Sequence, residues 1–269
     1  ARPSRRCAAR VEVSASGNVY IMGSVEDAII NSGGSVFIEQ GIYGHEKAIV
    51  YARDCVEARC IEQAHVFCRG CVRASTNISH SLVVAFDYVQ TTSPDGVIFG
   101  GTIKAGHSIN AAKLGSPSGT FTQLSIASSL SIEDEMELLR SYMLKKIAVT
   151  ENTSKEKKPK KKSEGKKKDG KKIDRQDGED DSDKYNGMIL KSYNRYFIDW
   201  LDNFIRRYRN RTPKFYPGDT RMSRYRIMSE TMTYPGVWIR IKGFGFNVKS
   251  ETAGRRLFSL SGDSIQESV

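Results

Sequence analysis

Ala15-Ser16-Gly17-Asn18-Val19 returns as Ser32-Gly33-Gly34-Ser35-Val36 and again as Ala52-Arg53-Asp54-Cys55-Val56. The frame continues as Cys68-Arg69-Gly70-Cys71-Val72, Ala85-Phe86-Asp87-Tyr88-Val89 and Ala105-Gly106-His107-Ser108-Ile109. A small residue opens each copy, a glycine or polar residue stands third, and Val or Ile closes it. The starts lie 17, 20, 16, 17 and 20 residues apart, a mean of 18. Self-similarity at a nearly fixed period marks a repeat architecture and takes precedence over any local reading.

Further positions lock to the same frame. Four and two residues before the starts stand Val11/Val13, Ala28/Ile30, Ala48/Val50, Ala64/Val66, Ser81/Val83 and Gly101/Ile103. Two residues after the closing Val or Ile come Ile21, Ile38, Ala58, Ala74, Thr91 and Ala111. Alternation on a period of two is a strand signal, and the Gly/Asp/His position between the strands is a turn signal. Each unit reads as strand, tight corner, strand, looser corner. One unit alone has an inward row and nothing to pack it against, so neighbours stack to bury it. Coils about 4.8 Å apart make six coils about 30 Å long. The expectation is a mainly β fold, a parallel β-helix rod of about six rungs over residues 1–130.

Small inward residues at the corners suit a narrow interior. The five cysteines, Cys7, Cys55, Cys60, Cys68 and Cys71, are an odd number without the look of a secreted disulfide framework, so they are expected as reduced thiols in the core. Cys55 and Cys71 occupy equivalent frame positions and are expected to stack one rung apart. Cys68-x-x-Cys71 with His65 nearby suggests zinc, but no second C-x-x-C completes four ligands, and no metal is assigned.

The chain has 269 residues, a net charge of +11 and 39% hydrophobic residues, with mean hydropathy −0.46. No stretch approaches the ~18 apolar residues of a membrane helix. Three arginines in the first six residues have no apolar segment behind them, so no secretory signal is visible. Without an initiator methionine the sequence reads as a fragment or a processed chain.

Beyond the rod, Ile132, Met136, Leu139, Met143 and Ile147 follow the spacing of one helix face, with acids in the first turn and lysines in the last. A second helix runs from about Tyr185 to Arg209 with Ile189, Tyr193, Phe197, Trp200, Leu201, Phe204 and Tyr208 on one side. Between them, residues 155–172 carry eleven lysines and three acids, and residues 173–184 turn acidic. Such composition cannot bury enough apolar surface to order itself. Residues 131–230 are therefore expected to form an inserted antiparallel α-helical hairpin of coiled-coil type, its Lys-rich tip at about 151–184 disordered. Residues 231–269 read as return strands capping the rod, opened by the Pro235-Gly236 turn.

Gly100-Gly101-Thr102-Ile103-Lys104-Ala105, then Gly115-Ser116-Pro117-Ser118-Gly119-Thr120, then Tyr234-Pro235-Gly236-Val237 resemble the end of the β-helix in the bacterial flagellar assembly protein A family. The resemblance covers most of residues 11–150 and 230–260. It implies a right-handed β-helix, a cytoplasmic location and a role in flagellum assembly or positioning, and hence motility, with no enzymatic activity or cofactor. That family's N-terminal domain has no counterpart here, and the lysine tract and the cysteine-rich rungs depart from its pattern.

The residues give catalysis little support. His45, His65, His80 and His107 stand in no HExxH motif and beside no GxSxG elbow. Sugar-cleaving β-helices need clustered carboxylates, whereas Glu12, Glu26, Asp27, Glu39, Glu46, Asp54, Glu57, Glu62, Asp87 and Asp95 scatter across different frame positions. Coils of 16, 17 and 20 residues break the sixfold spacing of hexapeptide acyltransferases. The expected function is a non-enzymatic scaffold or assembly factor working through protein contacts. The rivals are a bactofilin-like polymerising β-helix and a carbohydrate-active enzyme. Arg206, Arg207, Tyr208, Arg209 and Arg211 form either a docking surface for an acidic partner or the cation-rich end of a helix. The lysine tract is either a solvated tip or a weak contact for an anionic membrane surface. It lacks interleaved aromatics, so nucleic acid is not expected. The sequence does not fix the oligomeric state.

Overall fold

The structure is a computed structural model. It describes residues 11–127 and 225–269 throughout and, between them, residues 134, 136–141, 144–145, 198–199, 202–203 and 205–206. Two compact units divide the chain: Ala1–Leu130 with Lys214–Val269, and Ser131–Pro213.

The first unit is a parallel β-solenoid of about six turns, of the right-handed type. β1 (Glu12–Ala15), β2 (Val19–Ile21) and β3 (Val25–Glu26) form the first coil. β4 (Ile29–Ser32) with β5 (Val36–Tyr43) forms the second, and β6 (Ile49–Ala52) with β7 (Cys55–Glu62) the third. β8 (His65–Cys68), β9 (Cys71–Ala85), β10 (Tyr88–Thr91), β11 (Val97–Ala105) and β12 (Ser108–Leu114) continue the winding, the long strands turning corners without interruption.

The repeat frame becomes a set of vertical columns. Val19, Val36, Val56, Val72, Val89 and Ile109 stand one on another in strict register. On the preceding face, Val13, Ile30, Val50, Val66, Val83 and Ile103 do the same. Parallel ladders fix this register, since a one-residue slip would turn every inward side chain outward.

The looser corner turns out to be a third strand. Val25, Ile42, Ile61, Ile78, Ile98 and Leu114 form a third buried column, so each coil has three sides. Register shifts at Ile38/Gly41, Ala58/Cys60 and Ala111/Lys113 each change the count by one residue just before this side. Because of those bulges, the third column keeps no constant offset from the frame.

Part of the first face is buried on its outer side too. Ile29, Ile49, Tyr51, Phe67 and Val84 alternate with the inward residues, yet none is more than 4% exposed. This explains why the first-face strands read as continuous apolar pairs and triplets, such as Ile49-Val50-Tyr51, rather than as simple alternation.

After β13 (Thr122–Ile126), the seventh pass of the first face, the chain reaches the tight corner at Ala127, whose N–H donates to the Ala105 carbonyl at 3.3 Å. It resumes at the same corner. The Tyr225 ring lies parallel to His107 at 6.1 Å, and the Arg226 N–H donates to the His107 carbonyl. β14 (Arg226–Thr233) then runs parallel to β12 and puts Ile227 on Ile109, and β15 (Val237–Ile241) puts Ile239 on Leu124. The direction reverses in β16 (Phe244–Asn247), which pairs antiparallel with β15. β17 (Thr252–Ala253) and β18 (Arg256–Ser261) pair antiparallel with β14, and β19 (Ser264–Ser268) pairs with β18.

In the second unit, residues 136–141 are helical, with Met136 and Leu139 buried, and Ile198 and Ile205 are helical and buried. Arg140 is ion-paired to Asp202. The expected coiled coil is not shown: the continuous described helix covers less than two turns, whereas a coiled-coil seam repeats over three or more heptads. No helical hairpin is shown either, since most of residues 131–224, including the tract at 151–184, lies outside the described residues.

Truncating one column residue tests the packing. Ile61, fully buried between Ile42 and Ile78, should cost about 2–5 kcal/mol when changed to Ala. Urea unfolding followed by circular dichroism measures this, and a cost below about 1 kcal/mol would contradict a close-packed column.

Candidate functional site

Two corners of the solenoid concentrate the polar and reactive groups. At the first, two motifs separated by more than a hundred residues meet. The Tyr234 N–H donates to the Leu114 carbonyl at 2.8 Å, and the Thr122 N–H donates to the Gly236 carbonyl at 3.0 Å. Gly236, at φ +86°, lies so close to the earlier loop that a Cβ there would stand 2.5 Å from the Gly119 oxygen. Glycine is required by both the backbone angle and the approach. The Ser116, Ser118 and Thr120 hydroxyls form a triangle with 2.9 Å edges. Their bonds run to one another, so they stabilise the loop, and among the described residues no hydrogen bond joins them to a histidine or carboxylate that would make one a nucleophile. Phe121 and Trp238 follow the two motifs and are 58% and 44% exposed.

The second corner holds three cysteines. Cys55 and Cys71 are paired residues of β7 and β9, with Cα atoms 4.8 Å apart, and they form a disulfide. Stacking at equivalent frame positions is as the repeat implies. The expectation of reduced thiols throughout is corrected at this pair, because ladder spacing brings the two Cα atoms within disulfide range. Cys60 and Cys68 are free and buried.

Cys68 lies on the inner side of the same corner. Its thiol donates to the Asp54 carbonyl at 3.2 Å or the Cys71 carbonyl at 3.3 Å, and it accepts from the Gly70 N–H at 3.4 Å. Ser32 has the equivalent role in an earlier coil, donating to the Gly17 carbonyl at 2.8 Å. Burial pushes the Cys68 thiol from 9.0 up to about 12. Gly70 has no room for a side chain, as a Cβ would collide with the Asp54 oxygen.

Four acids of the coils are engaged with cations or histidines one coil away. Asp27 meets His45 at 3.0 Å and Lys47 at 3.4 Å, Glu57 meets Arg73 at 2.6 Å, Asp87 meets His107 at 3.2 Å, and Asp95 meets Lys113 at 3.0 Å. The repeat thus sets these pairs just as helical spacing sets i,i+4 pairs. Among the described residues, no three His, Cys, Asp or Glu converge as a metal cluster. Of the basic-helix residues, Arg206 is helical and exposed, while Arg207, Tyr208, Arg209 and Arg211 lie outside the described residues. Sequence reasoning missed the disulfide, although the shared frame position was its signal, and it missed the hydroxyl triangle, which needs the loop's conformation.

Comparison with protein families matches residues 8–265 to the Flagellar Assembly Protein A beta solenoid domain. No curated protein and no solved structure matches the chain. No helix among the described residues is long and apolar enough to cross a membrane.

The Cys68 thiol couples stability to alkaline pH. It stays protonated in the fold up to about 12 but ionises near 9.0 when unfolded. Its contribution is therefore complete below about pH 9 and is lost as pH rises towards 12. Cys68→Ser should flatten the fall of stability with pH in that window, by up to about 1.4 kcal/mol per pH unit relative to the parent. Paired urea titrations at pH 8 and pH 10.5 measure this, and parallel losses in the two proteins would contradict it.

Proposed function

Because the chain belongs to the flagellar assembly protein A family over residues 8–265, we propose that it acts in bacterial flagellum assembly or positioning as a cytoplasmic, non-enzymatic scaffold. Family membership carries this reading. The arrangement of polar groups supports its non-enzymatic aspect: Asp27, Glu57, Asp87 and Asp95 engage cations and histidines, and the Ser116, Ser118 and Thr120 hydroxyls bond among themselves. A stack of coils tied by parallel ladders and inter-coil ion pairs holds its surface groups at fixed spacings, which is what a scaffold contributes.

The second unit is the partner-facing region in this reading. In it the two helical segments pair as an antiparallel hairpin, and the Arg140–Asp202 ion pair between them supports this. Arg206, exposed on the second segment, together with Arg207, Tyr208, Arg209 and Arg211, presents positive charge to an acidic protein partner. The lysine tract adds a weak attraction to anionic membrane surfaces, roughly 1 kcal/mol per lysine close to the surface. The rival reading is an end-to-end polymer, which needs open coil edges. Against it, β14 and β15 of the last coil are already paired with the antiparallel strands β17, β18 and β16.

Electron micrographs of cells lacking the gene test the function. Lost or misplaced flagella on cells of normal outline are expected, and intact flagella on misshapen cells would favour the polymer. Deleting residues 155–184 should leave the melting temperature of the purified protein unchanged. A fall of more than a few degrees would contradict the expectation, drawn from its charged composition, that this tract adds nothing to the core.

A further inference from the structure

Cys55 and Cys71 belong to a column that runs Asn18, Ser35, Cys55, Cys71, Tyr88 and Ser108 along the tight corner of the coils. The two ends of the disulfide have unlike surroundings. On the Cys55 side the next residue in the column is Ser35, which is small. On the Cys71 side it is Tyr88, whose hydroxyl is held by the Arg73 guanidinium at 3.0 Å from Nε, while Arg73 is anchored in turn to Glu57 at 2.6 Å. Cys71 is 3% exposed, and Cys55 is half-buried. The inward Cys68 has its hydrogen ordered onto backbone oxygens, and burial keeps it protonated, so it is poorly placed to attack the bond from within.

We infer that Cys55–Cys71 is a reversible thiol–disulfide exchange site that opens from one side. A thiolate from a small dithiol reductant attacks the Cys55 sulfur, the Cys55–Cys71 bond breaks, and Cys71 leaves as a thiolate that takes up a proton. The second thiol of the reductant then attacks its own sulfur in the mixed disulfide and releases Cys55, leaving the reductant as its cyclic disulfide. Two electrons and two protons pass to the protein. The backbone does not depend on the bond, because the Cys55/Cys71 step is also held by the β7–β9 ladder and by the Cys71 N–H donating to the Asp54 carbonyl at 3.2 Å. In the cytoplasmic location proposed above, on which this point rests, disulfides are characteristically transient or redox-sensing, and a bond whose opening leaves the fold standing suits that use.

The test equilibrates the full chain in buffers of graded reduced and oxidised dithiothreitol, traps thiols with iodoacetamide and maps them by mass spectrometry. Cys55 and Cys71 should become labelled together in one two-electron transition, while Cys60 and Cys68 stay unlabelled and the circular dichroism spectrum is kept. Oxidised glutathione should then form an adduct with Cys55 in Cys71→Ser at least tenfold faster than with Cys71 in Cys55→Ser. Tyr88→Ala should narrow that ratio by uncovering Cys71. No bond at any poise, labelling of Cys60 and Cys68 along with Cys55 and Cys71 and with loss of the spectrum, or equal adduct rates in the two serine variants would each overturn the inference.

Discussion

Everything in the solenoid depends on one constraint: an inward side chain packs against its own counterparts one coil below and one coil above. The interior is too narrow for a separate core layer, so Val56 rests on Val36 and carries Val72, and Ile61 rests on Ile42 and carries Ile78. The parallel ladders and the apolar columns therefore enforce each other. The ladder holds residues at the sheet spacing, and the columns make any slip of register expose a whole row. The same rule extends outward, where ion pairs join residues one coil apart. It also extends to the corners, where Ser32 and Cys68 perform one hydrogen-bonding task in different coils.

The insertion obeys that constraint. The chain departs after Ala127 and returns at Tyr225, whose ring takes the place over His107 and has Lys242 Nζ 4.6 Å above it. Ile227 then continues the column of Ile109 as if nothing had intervened. A solenoid corner is a suitable site for a long insertion, because both ends of the excursion are pinned by ladder bonds to the preceding coil and the inward columns are left unbroken.

The frame was legible because its signal is covalent spacing. Val19, Val36, Val56, Val72, Val89 and Ile109 stand at fixed offsets, and those offsets become contacts. The third side was not legible, since bulges after Ile38, Ala58 and Ala111 and the longer passage from Thr91 to Val97 shift its column residues from coil to coil. The outer burial of Ile29, Ile49 and Phe67 was hidden for another reason: alternation reports only one buried surface. At the corners, sequence placed Cys55 above Cys71 but left the sulfurs apart, since composition speaks to the usual state of thiols and ladder spacing to their separation. The Gly115–Thr120 and Tyr234–Val237 motifs carried the family resemblance, whereas their mutual contact depends on positive φ at Gly115, Gly119 and Gly236.

The most direct measurement is to remove one coil in register. Deleting residues 85–104 joins Val84 to Ala105, one frame start replacing another, and sets Ile109 on Val72. Deleting residues 85–105 removes one residue more and breaks the frame. Register-locked stacking predicts a cooperative, β-rich thermal transition for the first protein and its loss for the second. Equal folding of both, or failure of both, would contradict the claim that coil-to-coil register holds this structure together.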